Sequence, residues 1–207
     1  LDSIPRVWGC SPFVSKYALQ QPAVFVELAT SGDLQRSYQA EVEDTTRVRQ
    51  LLEAVIDEHS LLKILRHYRR REMVRIAWRD LAGWASLTET LADLSHLADA
   101  LVDNALNKVY QRLTQQFGVP MSKAELKADG TVITPAQQQY LVVIGMGKLG
   151  GQELNFSSDI DLIFAYPEAG ETVGGRIPQT NQEFFVRVGQ QLINALHQIN
   201  ADGFVFR

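Results

Sequence analysis

The sequence contains very little cysteine and no long apolar stretch. Cys10 is the single cysteine among 207 residues, which excludes an internal disulfide framework and predicts a reducing compartment such as the cytoplasm. Runs of about 18 or more apolar residues are absent, and no signal peptide is recognised, so neither a membrane span nor export is predicted. The formal net charge is only −4, so the chain lacks the basic field that favours nucleic acid as a partner.

Histidine is also sparse. The histidines number four: His59, His67, His96 and His197. All four lie on predicted helices at no spacing typical of metal ligands, so surface or hydrogen-bonded positions are expected rather than a metal role. The apolar fraction of 45% is ordinary for a globular protein, and the length permits one or two modest domains.

Residues 1–118 predict a helical N-terminal region. Apolar residues recur there at helical spacing, separated by proline and glycine. After a lead-in over residues 1–12, helices are expected over residues 13–29 (interrupted near Pro22), 34–57, 61–82 and 87–117. Ser60 and Gly83 are the expected caps of the third helix, and a capping box from Ser86 to Glu89 would open the fourth.

The third of these helices carries arginines at every fourth position. Arg71, Arg75 and Arg79 share one face because residues four apart are neighbours on a helix. A solvated face that pairs with acidic neighbours such as Glu72 and Asp80 is the favoured interpretation. A contact for phosphate or for a partner is the alternative.

A second region follows a predicted linker. Proline and glycine predict a loop over residues 119–138, and a further mobile loop is expected over residues 167–178. A capping box at Thr180 would open a helix, and a last strand is expected over residues 204–207. The order strand, glycine turn, strand, helix, strand over residues 139–207 predicts a small mixed sheet with helices on one side, so the fold class is α+β.

The stretch GMGKLGGQELNFSSDIDLIF, residues 145–164, carries the chemistry. It follows an apolar run over residues 140–144 that predicts a buried strand. The dinucleotide-binding pattern of spaced glycines is matched literally, but a new strand near Ile160 leaves no room for the helix that this pattern requires. The Walker A pattern fails because Leu149 follows Lys148 where Ser or Thr is needed. A glycine-rich turn with two surface aspartates is the remaining structural interpretation.

The two aspartates are the strongest functional candidates. If residues 160–164 form a strand, Asp159 and Asp161 share one face while the apolar residues between and after them bury on the other. Neighbouring carboxylates repel each other unless cations or protons neutralise them, and Mg²⁺ suits such oxygen ligands. A glycine-rich turn can offer backbone N–H groups to phosphate oxygens. Metal carboxylates beside a phosphate cradle indicate phosphoryl or nucleotidyl transfer.

The whole stretch resembles the bacterial bifunctional glutamine synthetase adenylyltransferase/adenylyl-removing enzyme, a member of the polymerase-β-type nucleotidyltransferase superfamily. The segment from Asn155 to Asp161, together with residues 202–207, is more similar to the N-terminal, adenylyl-removing module. A looser similarity continues upstream over residues 69–78. The resemblance implies a polymerase-β-like core after the helical region.

The resemblance also implies roles for named residues. Asp159 and Asp161 would be catalytic and would bind Mg²⁺. Phosphate and nucleotide would be bound by Gly147, Lys148, Gly150, Gly151 and Ser158. Lys148 could equally face solvent, and Ser158 could equally turn the backbone, with Asn155 fixing that turn.

The resemblance further implies the reaction and its partners. Adenylylated glutamine synthetase would be the substrate, phosphate would enter, ADP would leave, and the PII signal protein would regulate. One alternative is the adenylyl-transferring module of the same enzyme, with ATP as the nucleotide. A second alternative is a nucleotide-binding regulatory module without catalytic activity. The family's third carboxylate would fall just beyond Arg207, so we expect a fragment of a longer protein that binds nucleotide weakly and turns over slowly or not at all.

Overall fold

The computed structural model describes residues 2–37, 40–198 and 203–206, and it confirms the α+β class. The helices in these ranges are α1 (Ile4–Cys10), α2 (Pro12–Gln20), α3 (Pro22–Thr30), α4 (Ala40–Leu52), α5 (Glu58–Ala82), α6 (Leu87–Phe117), α7 (Gly147–Gly150) and α8 (Asn181–His197). The strands are β1 (Gly118–Ser122), β2 (Glu125–Leu126), β3 (Val132–Thr134), β4 (Val142–Gly145), β5 (Leu162–Ala165) and β6 (Gly170–Gly174).

Prolines and capping side chains set most helix boundaries. Pro12 and Pro22 begin α2 and α3, at positions where the missing N–H would have no helical partner. Asp57 caps α5 instead of the expected Ser60, because the Asp57 carboxylate accepts the Ser60 N–H at 2.9 Å and Ser60 already lies inside the helix. Gly83 ends α5 as predicted, in the left-handed conformation with φ 74°.

The two predicted capping boxes differ in outcome. At α8 the box is complete, since the Thr180 hydroxyl accepts the Glu183 N–H and the Glu183 carboxylate accepts the Thr180 N–H. At α6 the Ser86 hydroxyl accepts the Glu89 N–H at 3.1 Å, but the Glu89 carboxylate binds Arg79 instead of returning to the cap. The lead-in expected over residues 1–12 is wrong, because α1 lies there.

Helix α5 lies between two hydrophobic cores. Val74, Ala77 and Trp78 pack on one side with the apolar residues of α1, α2 and α3. Leu65, Met73 and Ile76 belong to the larger core that joins α4, α5, α6, α8 and the β4–β5 pair. With apolar neighbours on both sides, most of the second half of α5 is buried, its polar residues included.

The described strands form three antiparallel pairs, β1–β6, β2–β3 and β4–β5, rather than the single mixed sheet expected. β1 begins at Gly118 and otherwise lies in residues 119–138, and β6 lies in residues 167–178; loops were predicted over both ranges. The loops were predicted because glycine is common in turns. The prediction was wrong because glycine also allows two strands to approach each other closely. A Cβ at Gly170 would lie 1.9 Å from the backbone oxygen of Met121 on the neighbouring strand.

The C-terminal strand expected over residues 204–207 is absent from the part that the structure describes, residues 203–206. The N–H groups of Val205 and Phe206 donate instead to the backbone oxygen of Leu196 at the end of α8, at 2.9 and 3.0 Å. Asp202 and Arg207 lie outside the described residues. The division into domains at residue 118 stays a prediction.

Candidate functional site

The β4–β5 pair brings the glycine turn beside the two aspartates. Gly145, the last residue of β4, pairs with Leu162, the first residue of β5. One residue further, the Met146 N–H donates to the backbone oxygen of Asp161 at 2.9 Å. The start of the glycine turn and the aspartate segment are therefore adjacent in space although fifteen residues separate Met146 from Asp161 in sequence.

Both aspartates are exposed, and the residues between and after them alternate as expected. Asp159 and Asp161 face solvent, whereas Ile160, Leu162 and Phe164 pack against the larger core. The strand itself starts at Leu162 and not at the predicted position 160. The β4–β5 pairing is shorter than predicted because β4 ends at Gly145. Beyond Gly145, the Met146 N–H donates a single backbone hydrogen bond to the aspartate segment.

The glycine turn folds into α7, a single helical turn. Leu149 is buried and anchors the turn to the core, while Gly147, Lys148, Gly150 and Gly151 are exposed. Gly147 has φ +56°, a conformation that side-chain-bearing residues rarely adopt. A Cβ at Gly150 would lie 2.5 Å from the backbone oxygen of Gly145, so a close backbone contact requires glycine there.

Asn155 organises the loop that leads into the aspartates. The Ser158 hydroxyl donates to Asn155 Oδ1 at 2.7 Å, and the Ser157 N–H donates to the same oxygen at 3.3 Å. The prediction that Asn155 fixes this turn is confirmed. Ser158 turns the backbone in this arrangement, and its contact with phosphate stays a prediction.

Two residues of α6 hold this loop, and sequence analysis gave no sign of either. The fully buried Ser95 accepts the Leu154 N–H at 3.1 Å through its hydroxyl. Asp99 accepts a hydrogen bond of 3.1 Å from the Gln152 side chain, and Gln152 has φ 57°, unusual for a residue other than glycine. An isolated serine and aspartate on an amphipathic helix carry no local pattern, so only the tertiary contact reveals them.

The donor set fits a divalent cation. The two exposed carboxylates in the segment just before β5 offer the hard oxygen ligands that Mg²⁺ prefers, with room for substrate oxygens and water to complete its shell. Within residues 2–37, 40–198 and 203–206, no group of three or more histidine, cysteine or carboxylate side chains is placed to hold a metal ion. Asp159 and Asp161 would therefore depend on further oxygen ligands.

The arginine face does not form a solvated surface. Arg75 and Arg79 are buried, and Arg71 is largely so. They do pair with acidic residues, as predicted: Arg75 contacts Glu72 at 2.5 Å and Asp93 at 2.9 Å, and Arg79 contacts Glu89 at 2.6 Å. Asp80, expected among the partners, accepts instead from the Thr90 hydroxyl. The prediction of a solvated face is wrong because α3 and α6 cover this side of α5.

The pKa values in this group follow from burial and pairing. Burial raises the pKa of Asp93, and the guanidinium of Arg75 only partly opposes that effect. Burial likewise acts to raise the pKa of Glu89, but the hydrogen bonds from Arg79 and Ser37 and the charges of Arg79 and Arg75 together outweigh it, so the pKa of Glu89 lies below its ordinary value. These groups stabilise the contact between α5 and α6 and lie apart from the glycine turn and the aspartates in the chain.

In the parts of the chain that the structure covers, no helix has the length and apolarity needed to cross a membrane.

A glycine turn beside paired carboxylates, on an α+β fold, is the arrangement typical of nucleotidyltransferases. A profile of the glutamate-ammonia ligase adenylyltransferase family matches residues 1–207, and the chain belongs to that family. The resemblance noted from the sequence is thereby confirmed at the level of the family.

Curated relatives agree with this assignment. The bifunctional glutamine synthetase adenylyltransferase/adenylyl-removing enzyme of Thioalkalivibrio sulfidiphilus is 47% identical over 206 residues, covering 100% of this chain and 20% of the relative. The enzymes of the same name from Pseudomonas aeruginosa and Shewanella loihica are 45% and 44% identical, covering 100% and 99% of this chain and 20% of each relative. The chain thus spans about one fifth of the length of these relatives.

Proposed function

We propose that this chain carries a nucleotidyl-transfer site that removes AMP from a tyrosine of adenylylated glutamine synthetase. The pairing of β4 with β5 carries the proposal, because it brings the glycine turn next to two exposed carboxylates. Membership of the adenylyltransferase family supports the class of chemistry, and the names of the relatives include adenylyl removal.

The residues of the proposed site would have different roles. Asp159 and Asp161 would hold Mg²⁺, which when bound supplies positive charge against the negative charge on the transferring phosphoryl group. Gly147, Gly150 and Gly151 would place no side chain in the way of the substrate phosphates, and Lys148, exposed on the same turn, would add a mobile positive charge. The N–H groups of Gly150 and Gly151 donate to the backbone oxygens of Met146 and Gly147, so phosphate would replace those bonds. Ser158 would contact a phosphate oxygen after release of its bond to Asn155.

The proposed reaction is phosphorolysis. An oxygen of inorganic phosphate attacks the phosphorus of the AMP group, a new P–O–P bond forms, and the bond from phosphorus to the tyrosine oxygen breaks. The tyrosine oxygen takes up a proton, so the products are ADP and unmodified glutamine synthetase. The same in-line geometry would serve adenylyl transfer from ATP, and the relatives' shared name covers both directions.

The partners follow from the same proposal. Glutamine synthetase would be the protein substrate, phosphate and ADP would be the small-molecule partners, and the PII signal protein would regulate the reaction in the cytoplasm. Regulation of nitrogen assimilation would be the outcome.

The test measures ADP formation from glutamine synthetase that carries labelled AMP, in the presence of phosphate and magnesium. The intact protein would be compared with its Asp159→Asn/Asp161→Asn double variant, which keeps size and hydrogen bonding but removes both charges. Loss of several kcal/mol of charge stabilisation predicts a fall in rate of about 1,000-fold or more. Asp129→Asn is the matched control, because Asp129 is equally exposed and lies in the β2–β3 turn.

The outcomes separate the alternatives. Phosphate-dependent ADP formation that the double variant abolishes supports removal, whereas incorporation of AMP from ATP into unmodified glutamine synthetase without removal would assign the transferring role. Full activity in the double variant would refute the metal roles. Tight nucleotide binding without either reaction would indicate a regulatory module.

A further inference from the structure

A cavity lies beside the loop that leads into the aspartates. Its volume is about 510 Å³, and it opens between α1, α2, α5, the loop before Asp159 and the described C-terminal residues. Its lining is mainly apolar, with Phe13, Met73, Phe156 and Phe204 among its walls. Small-molecule sites have this size and this predominance of apolar and aromatic surface, with few polar groups among them.

Arg69 lines this cavity without a counter-charge from the part of the chain that the structure describes. The described residues offer Arg69 no hydrogen-bond acceptor and no carboxylate, and its Nε atom is fully buried without a partner. Its guanidinium lies over the rings of Phe204 and Phe206, at 5.5 and 5.1 Å from their centres. Burial and repulsion by Arg70 lower the pKa of Arg69 to about 10, so it remains charged at neutral pH.

Three other arginines of α5 differ from Arg69 in this respect. Arg71, Arg75 and Arg79, on the same helix, each contact at least one carboxylate. An unpaired charge in a partly buried position is unfavourable for the fold, so it calls for a ligand. The one carboxylate in the lining, Asp80, lies eleven residues along α5 from Arg69, about 16 Å at the helical rise per residue.

We propose that this cavity binds a small ligand that joins a planar aromatic ring to an anionic group. The anion would pair with Arg69, and the ring would lie among Phe13, Met73 and Phe156. A nucleoside monophosphate and an aromatic carboxylate both have this chemistry. Because Phe156 and Ser157 line the cavity and lie within three residues of Asp159, an occupant would contact the loop that carries the candidate catalytic residues.

Cys10 provides a direct readout, since it is exposed and lines the cavity. A bound ligand should slow its alkylation by iodoacetamide, which peptide mass spectrometry measures at this single residue of the intact protein. The probes are AMP against adenosine, and phenylpyruvate against its uncharged counterpart phenylacetone. Each anionic probe that binds should protect Cys10 at a lower concentration than its uncharged counterpart.

Variants test whether any protection of Cys10 from alkylation arises from binding in this cavity. Arg69→Gln should raise the protecting concentration roughly 10- to 100-fold, because a charge-assisted hydrogen bond is lost. Arg187→Gln is the matched control, as Arg187 also lies over a phenylalanine ring but on α8, and it should change nothing. Phe13→Ala removes an exposed ring from the wall, so the fold should tolerate it while protection weakens. The Asp159→Asn/Asp161→Asn variant should retain full protection.

Protection by AMP and not adenosine would identify a nucleotide, and protection by phenylpyruvate alone would identify an aromatic carboxylate. Absence of protection by either anion at millimolar concentration, or equal protection in Arg69→Gln, would overturn the proposal. AMP protection that disappears in the double aspartate variant and persists in Arg69→Gln would assign AMP to the candidate catalytic site, and it would likewise overturn it. The proposal does not depend on the proposed catalytic function.

Discussion

Replacing Arg75 by Met should destabilise the fold strongly. The Arg75 side chain is fully buried and contacts Glu72 at 2.5 Å and Asp93 at 2.9 Å, with the Glu72 side chain also fully buried. Met retains much of the volume of the arginine stem but supplies no charge. The variant would leave two carboxylates buried between α5 and α6 without this partner.

The size of the effect follows from that burial. Removing one partner of a buried ion pair costs about 3–5 kcal/mol, because the remaining charge stays desolvated. In a chain of 207 residues, each kcal/mol shifts the melting temperature by roughly 2–4 °C, so a fall of about 6–20 °C is expected. Arg112→Met should lower it far less, because the Arg112–Glu58 pair is partly exposed to solvent and surface pairs contribute about 0–1 kcal/mol.

Thermal unfolding followed by circular dichroism checks this prediction at several pH values. Burial already raises the pKa of Asp93, and loss of Arg75 removes the charge that opposes this effect. Since a carboxyl group with a raised pKa favours the folded state at acidic pH, the deficit of Arg75→Met should grow as the pH rises through that pKa.

Adding Glu72→Gln and Asp93→Asn to Arg75→Met should recover part of the lost stability, because no buried charge then remains unpaired by the substitution. A melting temperature of Arg75→Met equal to that of Arg112→Met, with no dependence on pH, would refute the reasoning. It would mean that water or rearranged side chains already solvate these carboxylates.

Three further variants test other parts of the structure. Thr180→Ala removes the cap of α8 and should cost about 1 kcal/mol, measured by urea unfolding. Gly150→Ala places a Cβ 2.5 Å from a backbone oxygen and should cost about 1–3 kcal/mol, whereas Gly9→Ala in α1 meets nothing within 4 Å and should stabilise slightly; equal effects would contradict the close contact. Because pairing with Arg79 holds the pKa of Glu89 below its ordinary value of 4.5, this stabilisation is present above that pH and is lost as the pH falls through the lowered pKa. Glu89→Gln should therefore show a weaker loss of stability on acidification, and an unchanged acid profile would argue against the pair.

Features that depend on neighbouring residues in the chain were predicted best. The stripe of apolar residues on α6 and the caps at Gly83 and Thr180 depend on spacing and on side chains within one turn, so the helices were predicted well. The alternation around Asp159 and Asp161 was equally local, and both aspartates face solvent as expected. The family was recognisable from one stretch of twenty residues and is confirmed by comparison.

Two predictions based on glycine and arginine were wrong, because the structure around these residues depends on segments distant in sequence. Glycine at position 170 predicted a loop, yet it allows β6 to lie against β1 at a distance that no Cβ would permit. The charges at Arg75 and Arg79 predicted a solvated face, yet both are buried, and beyond the local Arg75–Glu72 pair they contact carboxylates that lie ten to eighteen residues away. Neither pairing leaves a pattern in the local sequence.

The sequence by itself determined helices α5, α6 and α8, the exposure of the two aspartates, the glycine turn and the family. Only the tertiary structure decided that Ser95 and Asp99 hold the loop before the aspartates, that the arginine face is a buried ionic contact, and that Arg69 meets no carboxylate of the described residues at a cavity of about 510 Å³. The physical reason is the same in each case. Spacing along the chain fixes which residues share a face, whereas packing of distant segments fixes whether that face meets water, a counter-charge or an open cavity.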